Sequence, residues 1–86
     1  MISTDEIYTS ATDFLTGHLQ VSHDLITPDA TLDSLGCDSL AAVELFLHLK
    51  GEFTVDVDEG KADPSLTLAQ TVALFTQATN DTTATP

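Results

Sequence analysis

Leu35-Gly36-Cys37-Asp38-Ser39-Leu40-Ala41-Ala42-Val43-Glu44-Leu45 sets a tight turn directly before a run of strong helix formers. Gly36 supplies the backbone freedom for the turn, and Asp38 is a good N-cap residue. Ser39 therefore falls in the first turn of a helix predicted to run to about Gly51. A phosphate carried on the Ser39 hydroxyl would lie beside N–H groups that have no intrahelical partner, at the positive end of the helix dipole. A neutral catalytic hydroxyl gains much less from that setting, so Ser39 is read as a place for a phosphodiester.

The helix that follows is apolar over more than one stripe. Ala42, Leu45, Phe46 and Leu49 share one face, and Leu40, Val43 and Leu47 form a second beside it. In so short a chain both stripes are not easily buried. The first is expected to face the core. The second flanks Ser39, includes Glu44, and is expected to be at least partly exposed for docking or for contact with cargo. The alternative is a central helix wrapped on several sides.

Upstream, Ser3 and Glu6 form a capping box, and Ile7, Ala11, Phe14 and Leu15 recur at helical spacing, with Gly17 as the expected stop. Residues His18 to Cys37 make a long connection broken by Thr27-Pro28-Asp29. A structureless loop of that length is unusual in a small domain, so Leu19, Val21, Leu25, Ile26, Leu32 and Leu35 are expected to pin it to the helices. Downstream, Val55 and Val57 are expected to plug the core, and a short helical turn is expected between Asp58 and Ser65. Thr67 and Gln70 cap a last helix carrying Leu68, Val72 and Phe75 on one face. Residues 1–79 read as one domain, and the Thr-rich stretch 80–86 as a frayed tail or linker. The fold class is all-α, a small three-to-four-helix bundle with a long first loop.

Composition narrows the function. The chain has 86 residues, with 14 acids against Lys50 and Lys61 and a net charge of −12. Such a charge repels phosphate backbones, so nucleic acid is not expected as a partner. It favours a monomer and quick encounters with basic protein surfaces, although an acidic surface can equally be mere solvation. Neither a membrane span nor a signal peptide is read, so a soluble cytoplasmic protein is expected. Cys37 is the single cysteine. No internal disulfide can form, and an acidic neighbour disfavours its thiolate, so it is read as a small loop residue.

Catalytic and metal chemistry fit poorly. Gly36-Cys37-Asp38-Ser39-Leu40 is not a nucleophile elbow, and His48 lies about 13 Å beyond Ser39 by helical rise, too far to activate it. His18 and His23 with Asp24 lack a second ligand pair. Asp56-Val57-Asp58-Glu59-Gly60 has its glycine one place early for a calcium loop, and Thr67 stands where the closing glutamate belongs. No catalytic residue and no metal site are assigned.

Asp-Ser-Leu-x-x-Val-Glu-Leu preceded by Leu-Gly-x resembles the 4′-phosphopantetheine attachment motif of acyl carrier proteins, and the resemblance runs from about Ile7 to about Phe75. It implies a carrier and not an enzyme. Ser39 would bear 4′-phosphopantetheine, placed there from coenzyme A by a phosphopantetheinyl transferase, and the arm's thiol would hold acyl intermediates as thioesters. By the same resemblance Asp38 helps hold magnesium and orient the site in the transferase complex. Leu40 and Val43 give apolar contacts beside the arm, Leu47 extends the partner face, and Glu44 pairs with a partner's Arg or Lys. The implied partners are that transferase and the ketosynthase, acyltransferase and other synthase domains with basic docking surfaces. With Glu44 alone before Glu52, the helix resembles polyketide carriers more than fatty acid carriers, while Gly-Cys-Asp-Ser argues modestly against peptidyl carriers. An unmodified acidic helical interaction module is the competing class.

Overall fold

The computed structural model describes residues 3–84, with side chains through residue 79. Three helices carry the fold: α1 (Thr4–Gly17), α2 (Ser39–Phe53) and α3 (Leu68–Ala84), with short 3-10 turns at His23–Leu25, Asp33–Leu35 and Glu59–Lys61. Among the described residues there is no strand, only one isolated antiparallel bridge between Thr31 and Thr67. The all-α bundle expected from the helical periodicities is the fold observed, with the short fourth helix reduced to the single turn Glu59–Lys61. Asp58 caps that turn through the Gly60 N–H at 2.9 Å, and Pro64 follows before another full turn can form.

α1 begins where its sequence says, the Ser3 hydroxyl accepting from Glu6 N–H at 3.2 Å. It packs against both other helices and buries Ile7, Ala11 and Leu15. α2 buries Ala42, Leu45, Phe46 and Leu49, and Phe46 meets Phe75 of α3 edge to face at 5.1 Å between ring centroids. Each of the leucine, isoleucine and phenylalanine side chains so removed from water contributes about 1.5–3 kcal/mol. Val55 and Val57, just beyond α2, are buried and join the core.

Gly17 ends α1 as expected, and the chain turns at Gln20, φ 58°. Gly51 does not stop α2. The helix runs on to Phe53 and is closed by Thr54 in the left-handed region, φ 52°, whose N–H donates to the Lys50 carbonyl. The two residues gained place Phe53 against the core. α3 continues through 80–84, part of the stretch read as a tail, because each residue added to an established helix gains a hydrogen bond without a new nucleation cost. Residues 85 and 86 of that stretch lie outside the described residues.

The long first loop is pinned as anticipated by Leu32 and Leu35, which are buried, and by Leu19, Val21 and Ile26, which pack on the core; Leu25 is exposed. Backbone hydrogen bonds add a second anchor that side-chain pattern did not reveal. Leu32 N–H donates to the Leu66 carbonyl and Asp33 N–H to that of Pro64, while Leu68 and Ala69 N–H groups donate back to Ala30 and Pro28, all within 3.0 Å. The loop is thereby stitched to the entrance of α3, which fixes the position of the turn leading into α2.

Candidate functional site

The turn before α2 is built from three short-range devices. Asp33–Leu35 forms a 3-10 turn, Gly36 leaves it with φ 85°, and the Cys37 N–H returns to the Leu32 carbonyl at 3.0 Å. A glycine is needed there for its dihedral and not for space, since no atom lies within 4 Å of where a Cβ would stand. Cys37 then points inward and is buried. Burial, and secondarily the negative charge of Asp38, push its thiol pKa up, so it is a poor nucleophile and serves as core filling.

Asp38 follows in extended conformation, its Oδ1 accepting from the Ala41 N–H at 2.8 Å. The first intrahelical bond runs from the Ala42 N–H to the Asp38 carbonyl at 2.9 Å. The N–H groups of Ser39 and Leu40 precede that bond. Ser39, the first residue of α2, is exposed, and so are Asp38 before it and Leu40 after it. An exposed hydroxyl with two helix-terminal N–H groups beside it suits a covalently held phosphodiester, which needs access from solvent and donors for its oxygens.

The second stripe of α2 is left outside the core. Leu40 is 69% exposed and Leu47 49%, and Val43 and Glu44 are half-buried. The wrapped-helix alternative therefore does not hold. Of the histidines, His48 is taken up between helices: its Nε2 lies 3.1 Å from Ser10 Oγ and its ring stacks on Phe14 at 4.6 Å. His18 stacks on the same Phe14 at 4.8 Å and stands 4.0 Å from Glu44. Sequence reading missed this grouping at the edge of the stripe. The signal was present in the four-residue spacing of Ser10, Phe14 and His18, which places them on one line of α1. The acidic loop Asp56–Gly60 is occupied with structure, Asp58 capping Gly60 and Glu59 accepting from Lys50 Nζ at 2.7 Å. No group of three or more His, Cys, Asp or Glu placed to hold a metal ion occurs among the described residues.

The sequence model of the family described as "Phosphopantetheine attachment site" matches residues 13–75, from the second half of α1 through the loop, the turn and α2 to Phe75 of α3. The chain belongs to this family. Its covalent cofactor is 4′-phosphopantetheine, and a phosphopantetheine attachment domain of this kind is a carrier, not an enzyme. Among curated relatives, Acyl carrier protein 1, chloroplastic, of Spinacia oleracea is 41% identical over 46 residues, a stretch that makes up 54% of this chain and 33% of the relative. The matched stretch thus spans a third of that relative's length. Among the described residues no helix is long and apolar enough to cross a membrane.

Proposed function

We propose that Ser39 is the attachment point of the family's phosphopantetheine and that the chain carries acyl intermediates between the enzymes of a synthase. The observation that carries this reading is the exposed Ser39 hydroxyl on the first residue of α2, within the stretch matched by the attachment-site family. A phosphopantetheinyl transferase would move the phosphopantetheine of coenzyme A onto Ser39 Oγ: the hydroxyl gives up its proton and bonds to phosphorus as the pyrophosphate P–O bond of coenzyme A breaks, and adenosine 3′,5′-bisphosphate leaves. When bound, the arm supplies a terminal thiol for thioesters. The chain's own residues do the rest: Asp38 fixes the start of the helix and holds a carboxylate beside the hydroxyl, and Ser39 and Leu40 offer N–H donors. Leu40, Val43, Glu44 and Leu47 present an apolar and acidic face to the transferase, ketosynthase and acyltransferase.

Weak docking through few charges suits a shuttle, because a tethered arm raises the local concentration of cargo while the domain can still leave each enzyme quickly. The acyl character of the cargo is supported by the name of the spinach relative. Polyketide over fatty acid synthesis is supported by α2 itself, where Glu44 is the only acid before Glu52. We place the carrier domain at residues 1–79, with α3 running on into 80–86 as its connection, acting as a monomer in the cytoplasm.

The test is intact mass after incubation with coenzyme A, magnesium and a broad-specificity phosphopantetheinyl transferase. One phosphopantetheine gained by the native chain and none by Ser39→Ala is the expected result. No gain by a folded native sample, with a known carrier modified in parallel, refutes the carrier role and leaves the unmodified interaction module.

A further inference from the structure

The peptide group that joins Leu32 to Asp33 is bonded at both ends. Its carbonyl accepts from the Cys37 N–H at 3.0 Å, and its N–H donates to the Pro64 carbonyl at 2.8 Å. The peptide group that joins Pro64 to Ser65 continues the line, because the Ser65 N–H donates to Asp63 Oδ1 at 2.9 Å. A chain of three hydrogen bonds thus runs through two planar peptide groups. It starts at an exposed carboxylate in the connection between α2 and α3 and ends at the backbone of Cys37, just before Asp38 and Ser39. A parallel tie runs beside it, from the Leu66 N–H to the Asp63 carbonyl at 3.0 Å and from the Leu32 N–H to the Leu66 carbonyl at 2.9 Å.

The turn before α2 has its shape from bonds within itself. Ser34 Oγ donates to the Thr31 carbonyl at 2.8 Å and the Gly36 N–H to that of Asp33 at 3.0 Å. Such bonds tie the turn to nothing else. Its place on the bundle rests on the buried side chains of Leu32, Leu35 and Cys37 and on the chain from Asp63. Apolar burial is non-directional, whereas a hydrogen bond sets an angle as well as a distance. Linked hydrogen bonds also polarise one another, and a carboxylate at the accepting end is a stronger acceptor than a neutral group. Asp63 stands at that end. Resting on the reading of Ser39 as the attachment point, we propose that Asp63 is a positioning residue for its modification, aiming through two peptide groups the turn that presents the Ser39 hydroxyl. Without that acceptor the Ser65 N–H turns to water, the Pro64 carbonyl loses its fixed direction, and the bonds from Asp33 and Cys37 loosen in turn. The hydroxyl then spends less time aligned for attack, which is a loss in kcat.

The test compares the full wild-type chain with Asp63→Ala, Asp63→Asn and Ser3→Ala, using coenzyme A, magnesium and a broad-specificity phosphopantetheinyl transferase well below the unfolding temperature of every variant. Ser3→Ala removes a bond of the same kind, one backbone N–H to an exposed side-chain oxygen, at the start of α1. Asp63→Ala is expected to lower kcat about three- to ten-fold, the worth of one hydrogen bond, with KM for the carrier little changed. Asp63→Asn keeps an oxygen at that place and is expected to stay within about two-fold of wild type. Ser3→Ala is expected to melt earlier yet be modified at the wild-type rate. Amide hydrogen exchange at Asp33 and Cys37, followed by NMR, is expected to quicken in Asp63→Ala and not in Ser3→Ala. Asp63→Ala modified at the wild-type rate, or slowed with exchange at Asp33 and Cys37 unmoved, overturns the positioning and leaves Ser39 as the attachment point. An Asn variant as slow as Ala, or a loss confined to KM, makes Asp63 a charge contact with the transferase and overturns it too. Ser3→Ala slowed as much as Asp63→Ala reduces the effect to general destabilisation and likewise overturns it. A folded wild-type chain that takes no phosphopantetheine refutes the reading of Ser39, and the proposal falls with it.

Discussion

Replacing Asp38 separates its two roles, since the residue is both the cap of α2 and a charge beside the hydroxyl proposed for modification. The cap is one hydrogen bond from Ala41 N–H to Oδ1 at 2.8 Å, on an exposed side chain. Asn keeps an oxygen at that place and caps helices as well as Asp, whereas Ala leaves the N–H to water. Asp38→Ala is therefore expected to destabilise the fold by about 1 kcal/mol, and Asp38→Asn by only a few tenths. For a domain of this size that is a fall in melting temperature of about 4–8 °C for Ala and about 2 °C or less for Asn. Both variants lose the carboxylate that is assigned to orienting the transferase complex, so both are expected to be modified much more slowly than wild type. The assays are thermal and urea unfolding followed by circular dichroism, and kcat/KM for phosphopantetheinylation. An Asn variant as unstable as Ala would show that charge against the helix dipole, and not the hydrogen bond, holds the start of α2. An Asn variant modified at the wild-type rate would remove Asp38 from the attachment site altogether.

Leu40→Ala and Leu47→Ala lie on the exposed stripe and are expected to leave stability within about 0.5 kcal/mol. If a partner covers about half of either side chain, kcat/KM for modification falls about five- to ten-fold; an unchanged rate for both would remove this stripe from the contact. Phe46→Ala, at a fully buried ring packed on Phe75, is expected to cost about 3–5 kcal/mol in urea unfolding. That is a large share of the stability of so small a domain, and a cost under about 1 kcal/mol would contradict the core described here. The hydrogen bond from Lys50, more than the backbone bond or the Lys50 charge, holds the Glu59 carboxyl below its usual range. A depressed native pKa gives stability that is complete above the unfolded value, near about 4.3, and is lost as pH falls through the lower native value. Wild type is thus expected to exceed Glu59→Gln in stability at neutral pH, with the gap closing in acid; a gap that widens on acidification would refute the pairing.

Side-chain period was sufficient to locate the helices and to sort α2 into a buried and an exposed stripe, because a 3.6-residue repeat reports which residues share a face whatever the partner is. Capping residues gave the starts of α1, α2 and α3 for a similarly local reason: Ser3, Asp38 and Thr67 each satisfy an N–H three residues ahead. Helix ends were less legible. Gly17 does end α1, but α2 runs past Gly51 and closes at the left-handed Thr54. Once Phe53 gains contact with the core, continuing α2 past Gly51 outweighs a glycine's preference to end it. The stitching of Pro28–Asp33 to Pro64–Ala69 was invisible for another reason. Those hydrogen bonds join backbone to backbone, and every residue but proline carries the same donor and acceptor.

The site divides along the same line. Ser39, Asp38, the exposed Leu40 and Leu47 and the half-buried Val43 depend on the position of each residue along a single helix, so a linear pattern suffices to place them. The His18–Glu44 pair depends on how α1 crosses α2, which no local pattern states. Ser10 and Phe14 each engage His48, and Phe14 also stacks on His18, so the crossing is registered by two α1 residues four apart against one ring of α2. A slip of one residue in either helix would turn that ring away by about 100° and take Glu44 out of reach of His18. The acid proposed to meet the carrier's partners is thus positioned by the packing of α1, and if that proposal holds, substitutions at Ser10 or Phe14, remote from Ser39 in sequence, act on docking through that register.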